Sequence, residues 1–297
     1  MKKNTFMSKI NPKKVAVLVT CYNRREKTKS CLERVFVQQL DSDVEMSVIL
    51  VDDGSTDGTS EMVASNYPQV KLIQSEGNLF WAGGMRLAWS RALLEDDFGF
   101  FWLINDDTDL FPTALNDLLQ ADAYAIKTFG KSGIYTGSTK DPNTGLRSYG
   151  GEQLLNPKKY ASCPVVPNGT YQTCEFTNAN CLLVPKPVMD QIGMFSTNYT
   201  HSIADFDYSM KAVRSHLPVL VLPDYVGYCV DDHIQFENHD FPNLKSRIRY
   251  LFHPKGFSYR EFLVFVRRFF PNQYAITVMS FWLRTLLPSV WKRMKSN

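Results

Sequence analysis

Two short acidic segments contain the residue types that bind nucleotides and divalent cations. The first, Asp52-Asp53-Gly54-Ser55, follows an apolar run, and its carboxylates could accept hydrogen bonds from a nucleobase N–H group or a ribose hydroxyl. The structural alternative is an Asx turn that caps the next helix, because Asp and Gly favour turns. The second, Asn105-Asp106-Asp107-Thr108-Asp109, follows another apolar run. Alternate residues of an extended segment point the same way, so two of its side chains could address one cation or one diphosphate.

Asp107 is the residue of the second segment that we expect to bind a metal ion. The side chains pair in two registers, Asn105 with Asp107 or Asp107 with Asp109, and Asp107 belongs to both. Oxygen ligands favour magnesium or manganese over zinc. The alternative is a polar loop that caps a helix starting near Pro112, with Asp109 contributing to the cap.

The chain around these segments predicts an α/β protein with a mostly parallel sheet. Continuous apolar, β-branched runs are typical of strands buried on both faces. Candidate strands and helices alternate, with strands at 15–20, 47–51, 70–74 and 100–104 and helices at 25–39, 59–66 and 84–94. This alternation predicts helices on both faces of the sheet. Because ligands bind beyond the carboxyl ends of such strands, Thr20-Cys21-Tyr22-Asn23 and the two acidic segments should converge on one cleft.

The middle of the chain is less regular. Short strands separated by turn signals are expected in 134–149, followed by a strand at 174–184 and a helix at 187–192. A further helix is expected at 205–215 and a strand at 219–222. We find no internal repeat in the sequence.

The composition is that of a folded protein in a reducing compartment. The chain has 297 residues, of which 44% are hydrophobic and 21% charged, with 16 Gly and 15 Pro, which excludes a disordered or low-complexity chain. The six cysteines are scattered without a C-x-x-C pair, which favours buried thiols over disulfides or a zinc site. No apolar run approaches the roughly 18 residues that span a bilayer. The polar, basic N-terminus lacks the apolar stretch of a signal peptide, and we expect a cytoplasmic protein.

Five segments together resemble the inverting glycosyltransferases of family 2, which have the GT-A fold. In chain order they are VAVLVTCYNR, VILVDDGSTDGT, GNLFWAGGMR, WLINDDT and ADFDYSMKA, and they cover roughly residues 15–233. The sequence is most similar to the branch of rhamnosyltransferase-like and other bacterial polysaccharide-assembly enzymes. The resemblance implies a GT-A nucleotide-diphospho-sugar transferase fold and transfer of a sugar from a nucleotide diphosphate donor to a hydroxyl acceptor. A glycan or a lipid-linked glycan is the implied acceptor.

The resemblance also implies roles for residues on the nucleotide side. Thr20, Tyr22, Asn23 and Arg24 should line the nucleotide pocket, and Asp53 should contact the base or its ribose, with Asp52 beside it. The residues expected on the nucleotide side also include five from the glycine-rich segment ahead of a helix, Asn78, Trp81, Gly83, Gly84 and Arg86. Glycines there let a phosphate or a sugar approach the backbone. Trp81 could border the donor sugar or pack in the core, and Arg86 could pair with phosphate.

Asn105-Asp106-Asp107 stands where the family has its D-x-D metal motif. The resemblance therefore implies that Asp107 holds the Mn²⁺ or Mg²⁺ that bridges the diphosphate. Asn105 departs from the pattern at the first acidic position, and whether Asp106 compensates stays open. Relatives often supply a histidine ligand after the catalytic base, for which His233 is the candidate and His239 the reserve.

Asp205 is the catalytic base that the resemblance selects. The segment Ala204-Asp205-Phe206-Asp207-Tyr208 matches the family's pair of acids before a helix, with the second acid as the base. Asp207 is the alternative, and either residue could simply cap the helix.

Two competing functions stay open at this point. A sugar-phosphate nucleotidyltransferase also binds a nucleotide with acids and a metal ion, but it usually has a Gly-rich basic loop where this chain has Thr20-Cys21-Tyr22-Asn23-Arg24. A non-catalytic scaffold that binds a nucleotide or a glycan is the other alternative, because Ala204 and Asn105 depart from the family pattern.

The formal net charge of +3 is the sum of two unlike parts. Residues 241–297 hold eleven Lys or Arg and one acid, Glu261, which gives +10 for this region and −7 for the other 240 residues. Two stripes at helical spacing predict amphipathic helices in the basic region. They are Phe262, Phe265, Val266, Phe269 and Phe270, and then Ile276, Met279, Leu283, Leu286 and Leu287.

Two interpretations of the basic region stay open. Such helices suit an anionic membrane surface, which would make the protein peripheral on the inner face of the cytoplasmic membrane. Alternatively, they pack on the catalytic domain or on a second subunit in a homodimer. We expect a GT-A catalytic domain at 1–240, with a nucleotide-sugar half at about 15–110 and an acceptor half at about 111–240, followed by a helical region at 241–297. No nucleic-acid partner is expected.

Overall fold

The first half of the chain forms a parallel sheet, as expected. In the computed structural model, residues 12–231, 241 and 243–295 are described. The strands are β1 (Lys13–Cys21), β2 (Val44–Asp52), β3 (Lys71–Gln74) and β4 (Phe100–Asn105), in the spatial order β3-β2-β1-β4. Successive residues of β1 enter two different cores, with Ala16 and Leu18 in one and Val17 in the other. This burial on both faces explains why the strand is apolar throughout.

Helices cover both faces of the sheet. On one face lie α1 (Arg25–Phe36), α2 (Thr59–Asn66) and α4 (Ala114–Phe129). On the other lie α3 (Phe80–Glu95), α5 (Lys186–Ile192) and α6 (Ala204–Arg214). This arrangement confirms the predicted α/β class.

Strands that follow β4 in the chain extend the sheet. Beyond β4 the order continues with β11 (Cys181–Pro185), β6 (Ile134–Lys140), β12 (Val219–Tyr228) and β5 (Asp109–Leu110). Strand β11 is antiparallel to both of its neighbours, whereas β6 and β12 are parallel. The short strand β9 (Gln172–Thr173) pairs with β12. A separate small sheet has the order β10-β7-β8, formed by Phe176–Thr177, Gly151–Leu154 and Ser162–Pro164.

The single strand expected at 174–184 is wrong, because this segment forms β10 and β11 in two different sheets. The polar residues between them make the break. Asn178 accepts a hydrogen bond from the backbone of Gly150 through its side chain, and the carbonyl of Asn180 accepts one from the backbone of Asn105. These interactions direct the chain from the small sheet to the main one.

The basic C-terminal region is helical, and its first stripe is buried. The helices are α7 (Leu244–Phe252), α8 (Tyr259–Phe269), α9 (Tyr274–Leu286) and α10 (Pro288–Lys295), with a 3₁₀ turn at Pro271–Gln273. Phe265, Val266, Phe269 and Phe270 are at most 4% exposed and belong to the same core as α3 and α6. Helix α8 thus packs on the core that contains α3 and α6.

Most of the second stripe faces outward, whereas Leu283 is partly buried. Ile276, Met279, Leu286 and Leu287 are between 48% and 69% exposed. Within the part of the chain that the structure describes, no helix is both long and apolar enough to cross a membrane.

Candidate functional site

The polar clusters that follow β1, β2 and β4 lie side by side, which confirms the predicted convergence. Thr20 is paired with Val51 of β2 and with Asn105 of β4, and Cys21 is paired with Asp52. The three strands are parallel, so their carboxyl ends form one edge of the sheet. Tyr22 stands at this edge and is 49% exposed.

Asp52 and Asn23 hold the loops of this edge together. The buried Asp52 accepts hydrogen bonds from the Ser55 backbone at 2.9 Å and from the Ser60 hydroxyl. Asn23, which has a positive φ of 50°, accepts a 2.7 Å bond from the Thr56 backbone through its side chain, and its own N–H donates to Ser55 Oγ. Asp52 therefore forms the turn that was the structural alternative for this segment, and Asn23 connects this turn to the end of β1.

Asp53 caps the start of α3. Its carboxylate accepts hydrogen bonds from the backbone N–H groups of Leu79 at 3.0 Å and Phe80 at 2.8 Å, and from the Ser75 hydroxyl at 2.7 Å. Asn78 and Phe80 have positive φ angles of 68° and 54°, a conformation that non-glycine residues seldom adopt. The cap offsets part of this strain, and it explains why α3 begins at Phe80, ahead of the expected start at residue 84.

The glycines of α3 bring this helix against β1. A Cβ atom on Gly84 would lie 2.2 Å from Oγ1 of Thr20, so only glycine fits there. A Cβ atom on Gly83 would lie 3.2 Å from Cβ of Leu79. Helix α3 consequently approaches the end of β1 closely.

Arg86 supports the loop that precedes α6. Its Nη1 donates to the carbonyl oxygens of Ser196 at 3.0 Å and Tyr199 at 2.7 Å, and burial lowers the pKa of its guanidinium. These contacts give Arg86 a role in packing, in addition to the phosphate contact expected from the sequence.

The segment after β4 is arranged around a basic side chain that the sequence assigned to the nucleotide pocket. Arg24 Nη1 lies 2.7 Å from Oδ2 of Asp107 and 3.2 Å from Oδ1 of Asp106, and Lys27 Nζ lies 3.5 Å from the same Asp107 oxygen. Asp109 pairs instead with Arg34 of α1. Asp106 and Asp107 are thus the acids that meet at the sheet edge.

Asn105 is oriented by Trp81. The indole Nε1 donates a 2.8 Å hydrogen bond to Oδ1 of Asn105, while the Trp81 ring packs on Phe195 with centroids 5.4 Å apart. Trp81 therefore packs against the core, which was one of its two alternatives, and also contacts the polar edge; a contact with the donor sugar stays a prediction.

Asp106 and Asp107 provide oxygen donors of the kind that Mg²⁺ and Mn²⁺ bind. Burial raises the pKa of Asp106 to about 7, against the opposing effect of Arg24. Its buried Oδ2 accepts no hydrogen bond among the described residues, which leaves one oxygen for a ligand. No third His, Cys, Asp or Glu completes a metal cluster within 12–231, 241 and 243–295. Asp106 and Asp107 therefore fit a divalent cation, which would compete with Arg24 for Asp107. The two candidate histidine ligands, His233 and His239, lie outside the described residues.

Asp205 and Asp207 have different environments. Asp205, at the start of α6, is partly exposed and accepts hydrogen bonds from the backbone of Phe206 at 2.9 Å and of Ala179 at 3.2 Å. Asp207 has no exposure, and its Oδ1 accepts 2.9 Å bonds from the Tyr199 hydroxyl and from Nη1 of Arg268. Asp207 is consequently occupied by a buried ion pair.

The loop between β10 and β11 connects Asp205 to the acids after β4. Ala179 donates to Asp205, and the carbonyl of the next residue, Asn180, accepts bonds from the backbone of Asn105 and the hydroxyl of Thr108, both at 3.3 Å. The Asn180 side chain also donates to Sγ of Cys229, which in turn lies 3.8 Å from Oδ1 of Asp107. The strand-end acids and Asp205 therefore belong to one connected site.

Sequence reasoning missed several residues of this site. Lys27 lies three positions after Arg24, which immediately precedes α1, and this spacing across the start of the helix is a signal that could have identified it. Asn180 belongs to a polar run that interrupts the strand expected at 174–184. Nothing in the sequence indicates that Cys229 approaches Asp107.

This α/β fold, with its nucleotide- and cation-binding residue types at the carboxyl edge of parallel strands, is of the GT-A glycosyltransferase type. Residues 16–148, which carry the strand-end acids, match the family model described as Glycosyl transferase family 2. No curated protein gives a significant match.

Two solved structures have a similar fold. One is the mannosyltransferase PcManGT from Pyrobaculum calidifontis in complex with GDP-Man and Mn²⁺, with 17% identity, a TM-score of 0.53, and coverage of 95% of this chain and 72% of that one. The other is residues 1–349 of S. aureus TarS in complex with UDP, with 17% identity, a TM-score of 0.52, and coverage of 80% and 72%. At this identity they support the fold.

Proposed function

We propose that the protein is an inverting glycosyltransferase in which Asp205 is the catalytic base. The observation that carries this proposal is the hydrogen-bonded connection from Asp205 through Ala179 and Asn180 to the segment after β4. Asp207 is the weaker candidate, because a base must reach an acceptor hydroxyl and Asp207 is fully buried against Arg268. The position of Asp205 at a partly exposed helix start suits this role.

The chemistry is one displacement at the anomeric carbon of the donor sugar. Asp205 takes the proton of the acceptor hydroxyl while its oxygen bonds to that carbon, and the bond to the diphosphate oxygen breaks. Attack opposite the leaving group inverts the configuration, and nucleoside diphosphate is released. Arg24 and Lys27 bring positive charge to the edge where the diphosphate would lie. A divalent cation held by Asp106 and Asp107 would neutralise charge on the leaving diphosphate.

The donor and the cation are inferred from family and fold. The two similar structures contain GDP-Man with Mn²⁺ and UDP, respectively, which supports a nucleotide-sugar donor for this chain as well. We therefore favour Mn²⁺ or Mg²⁺ as the cation. Thermal-shift measurements with UDP- and GDP-sugars, each with and without MnCl₂, test the donor assignment.

Asp205→Asn tests the base. This change keeps the size of the side chain and removes its basicity, so turnover should fall by roughly 10²- to 10⁴-fold while nucleoside diphosphate affinity stays within about twofold. Release of nucleoside diphosphate in the presence of acceptor is the measurement. Full activity of Asp205→Asn would contradict the assignment. Asp205→Glu, which restores a carboxylate, serves as the matched variant and should regain part of the rate.

The outer surface of α9 and α10 supports a membrane-associated role. We define the C-terminal apolar surface as Ile276, Met279, Leu286, Leu287, Val290 and Met294, which are 44% to 69% exposed. It lies in a region with eleven Lys or Arg and one acidic residue. This combination of apolar and basic residues complements an anionic bilayer. The inferred role is transfer to a lipid-linked glycan at the cytoplasmic face of a membrane, in bacterial surface polysaccharide assembly.

Vesicle co-sedimentation tests the membrane assignment. The full chain should bind vesicles containing phosphatidylglycerol more tightly than phosphatidylcholine vesicles, and Met279→Glu/Leu286→Glu should abolish binding. Leu94→Glu, on an apolar residue of α3 that is 82% exposed, is the control and should bind normally. Absence of binding by the unchanged chain would contradict the proposal. If the unchanged chain is a dimer that does not bind vesicles, and Met279→Glu/Leu286→Glu dissociates this dimer, the C-terminal apolar surface would be assigned to a second copy of the chain.

A further inference from the structure

The turn between α7 and α8 brings basic residues of the C-terminal region to the nucleotide edge. Lys255 Nζ lies 5.9 Å from the ring centroid of Tyr22, which follows β1. The ring centroid of Phe80 lies 6.4 Å from that of His253 and 6.2 Å from that of His201, and both contacts are edge-to-face. Phe80 is the residue whose backbone N–H binds Asp53. Two parts of the chain far from β1 thus meet Tyr22, which is expected at the nucleotide pocket, and Phe80, which precedes the expected residue Trp81.

This turn has a defined shape. The hydroxyl of Ser258 donates to the carbonyl of Pro254 at 2.6 Å, and the N–H of Lys255 donates to Nδ1 of His253 at 3.1 Å. A Cβ atom on Gly256 would lie 2.1 Å from the carbonyl oxygen of Tyr250, so the backbone is closely packed there. The position of Lys255 therefore follows from the fold of the turn.

The turn is also held to the loop before α6. The hydroxyl of Ser202 donates to Pro254 at 3.5 Å, and Glu261 of α8 accepts a 3.0 Å bond from the backbone of Thr200. His201 lies between these two attachment points in the sequence. The three side chains His201, His253 and Lys255, which we call the basic cluster, are consequently positioned by contacts between the loop before α6, α8 and the turn.

The basic cluster combines positive charge with an unused hydrogen-bonding atom. Burial and the nearby Lys255, Arg24 and His253 lower the pKa of His201 to about 4, so this imidazole is neutral near pH 7. Nδ1 of His201 is buried and has no hydrogen-bond partner within the described part of the chain. The positive charges of Lys255 and Arg24 create a potential that an anion relieves.

We propose that the basic cluster is a phosphate-binding subsite, which holds a phosphate group of a ligand bound at the nucleotide edge. This inference rests on the proposed function only for the nature of that ligand. Phosphate oxygens accept hydrogen bonds from Lys and His donors, and the faces of Tyr22 and Phe80 offer stacking surfaces beside them. The phosphate has two possible sources, the diphosphate of the nucleotide donor and the diphosphate of a lipid-linked acceptor.

Calorimetric titration of the full chain tests the subsite. The probes are UDP, GDP and the matching nucleosides, and the variant is His253→Ala/Lys255→Ala. We expect the double variant to bind the nucleoside diphosphate at least tenfold more weakly while nucleoside affinity is unchanged. Lys245→Ala, on an exposed lysine of α7, is the matched control and should bind like the unchanged chain. Thermal unfolding verifies that each variant is folded.

A second arm distinguishes the source of the phosphate. Farnesyl diphosphate is titrated into the unchanged chain and the double variant, each saturated with nucleoside diphosphate. If the double variant binds farnesyl diphosphate more weakly but binds UDP and GDP normally, the subsite is assigned to the acceptor. If the double variant binds both kinds of probe normally, the inference is overturned while the proposed function stands. If the unchanged chain binds neither UDP nor GDP, donors with these two bases are excluded, and weaker binding of farnesyl diphosphate by the double variant would still support the subsite.

Discussion

Asp207 and Arg268 form an ion pair that joins the acid-bearing helix to the C-terminal region. The carboxylate of Asp207 has no solvent exposure, and Arg268 Nη1 lies 2.9 Å from its Oδ1 and 3.2 Å from its Oδ2. Arg268 is on α8, and Asp207 is two residues after Asp205 on α6. The pair therefore fixes the helix whose first turn carries the proposed base.

Loss of this pair should destabilise the protein. We expect Arg268→Met to lower the free energy of unfolding by about 2 to 4 kcal/mol, because it leaves a buried carboxylate without its cationic partner. Urea unfolding followed by circular dichroism is the measurement. Arg267→Met, at an exposed neighbouring position, is the control and should change stability by less than about 0.5 kcal/mol. Equal stability of the two variants would contradict the structural role of the pair.

A methyl group on Gly84 should disturb the end of β1. Its Cβ would lie 2.2 Å from Thr20 Oγ1, so Gly84→Ala should cost about 1 to 3 kcal/mol and weaken nucleotide binding by displacing Thr20. Gly83→Ala, one residue earlier on the same helix, meets Leu79 at 3.2 Å and should remain within about 1 kcal/mol of the unchanged chain. Thermal unfolding and nucleoside diphosphate titration distinguish the two. Normal nucleotide binding by Gly84→Ala would exclude the predicted displacement.

Removal of Arg24 should strengthen cation binding. Arg24 Nη1 lies 2.7 Å from the Asp107 oxygen that a divalent ion would use, so Arg24→Ala should raise Mn²⁺ affinity several-fold. Electron paramagnetic resonance of free Mn²⁺ measures this without reference to activity. Arg25→Ala, at an exposed arginine that pairs with Glu26, should leave the affinity unchanged. Weaker Mn²⁺ binding by Arg24→Ala would mean that the two cations do not compete.

His201 should make the stability of the protein depend on pH. Its pKa of about 4 lies below the ordinary 6.5, with Lys255, Arg24 and His253 facing it. Between these values the unfolded chain binds the proton more readily, so stability falls as the pH decreases below about 6.5. His201→Gln should remove about 1 to 2 kcal/mol of the difference in unfolding free energy between pH 7.5 and pH 5. His216→Gln, at an exposed histidine, is the control. If the stability of His201→Gln depended on pH in the same way as that of the unchanged chain, the lowered pKa of His201 would be contradicted.

Local patterns were sufficient for much of the fold. The apolar runs of β1, β2 and β4 predicted buried parallel strands, and parallel strands necessarily bring their carboxyl ends to one edge. Thr20, Asp52 and Asn105 lie at that edge for this reason. The spacing of Phe265, Val266 and Phe269 likewise predicted the apolar face of α8.

The contacts made by these residues could not be predicted, because they join distant parts of the chain. Asp207 and Arg268 are 61 residues apart, and Arg24 and Asp107 are 83 apart. A stripe of phenylalanines has the same spacing whether it meets a membrane or a core, so only the folded chain distinguishes the two for α8. Turn propensity identified Asp52 as a turn residue, but the cap that Asp53 gives to α3 depends on the left-handed backbone at Phe80.

The burial of α8 in the core beside α3 and α6 has a consequence during synthesis on the ribosome. Helix α6 ends at Arg214, whereas Phe270, which helps to fill this core, is translated 56 residues later. At about 5 to 20 residues per second, this interval is roughly 3 to 11 s. Throughout it, the apolar surface that α8 will cover is exposed on the nascent chain. A chaperone that recognises such surfaces would therefore act on this protein mainly before residue 270 has emerged.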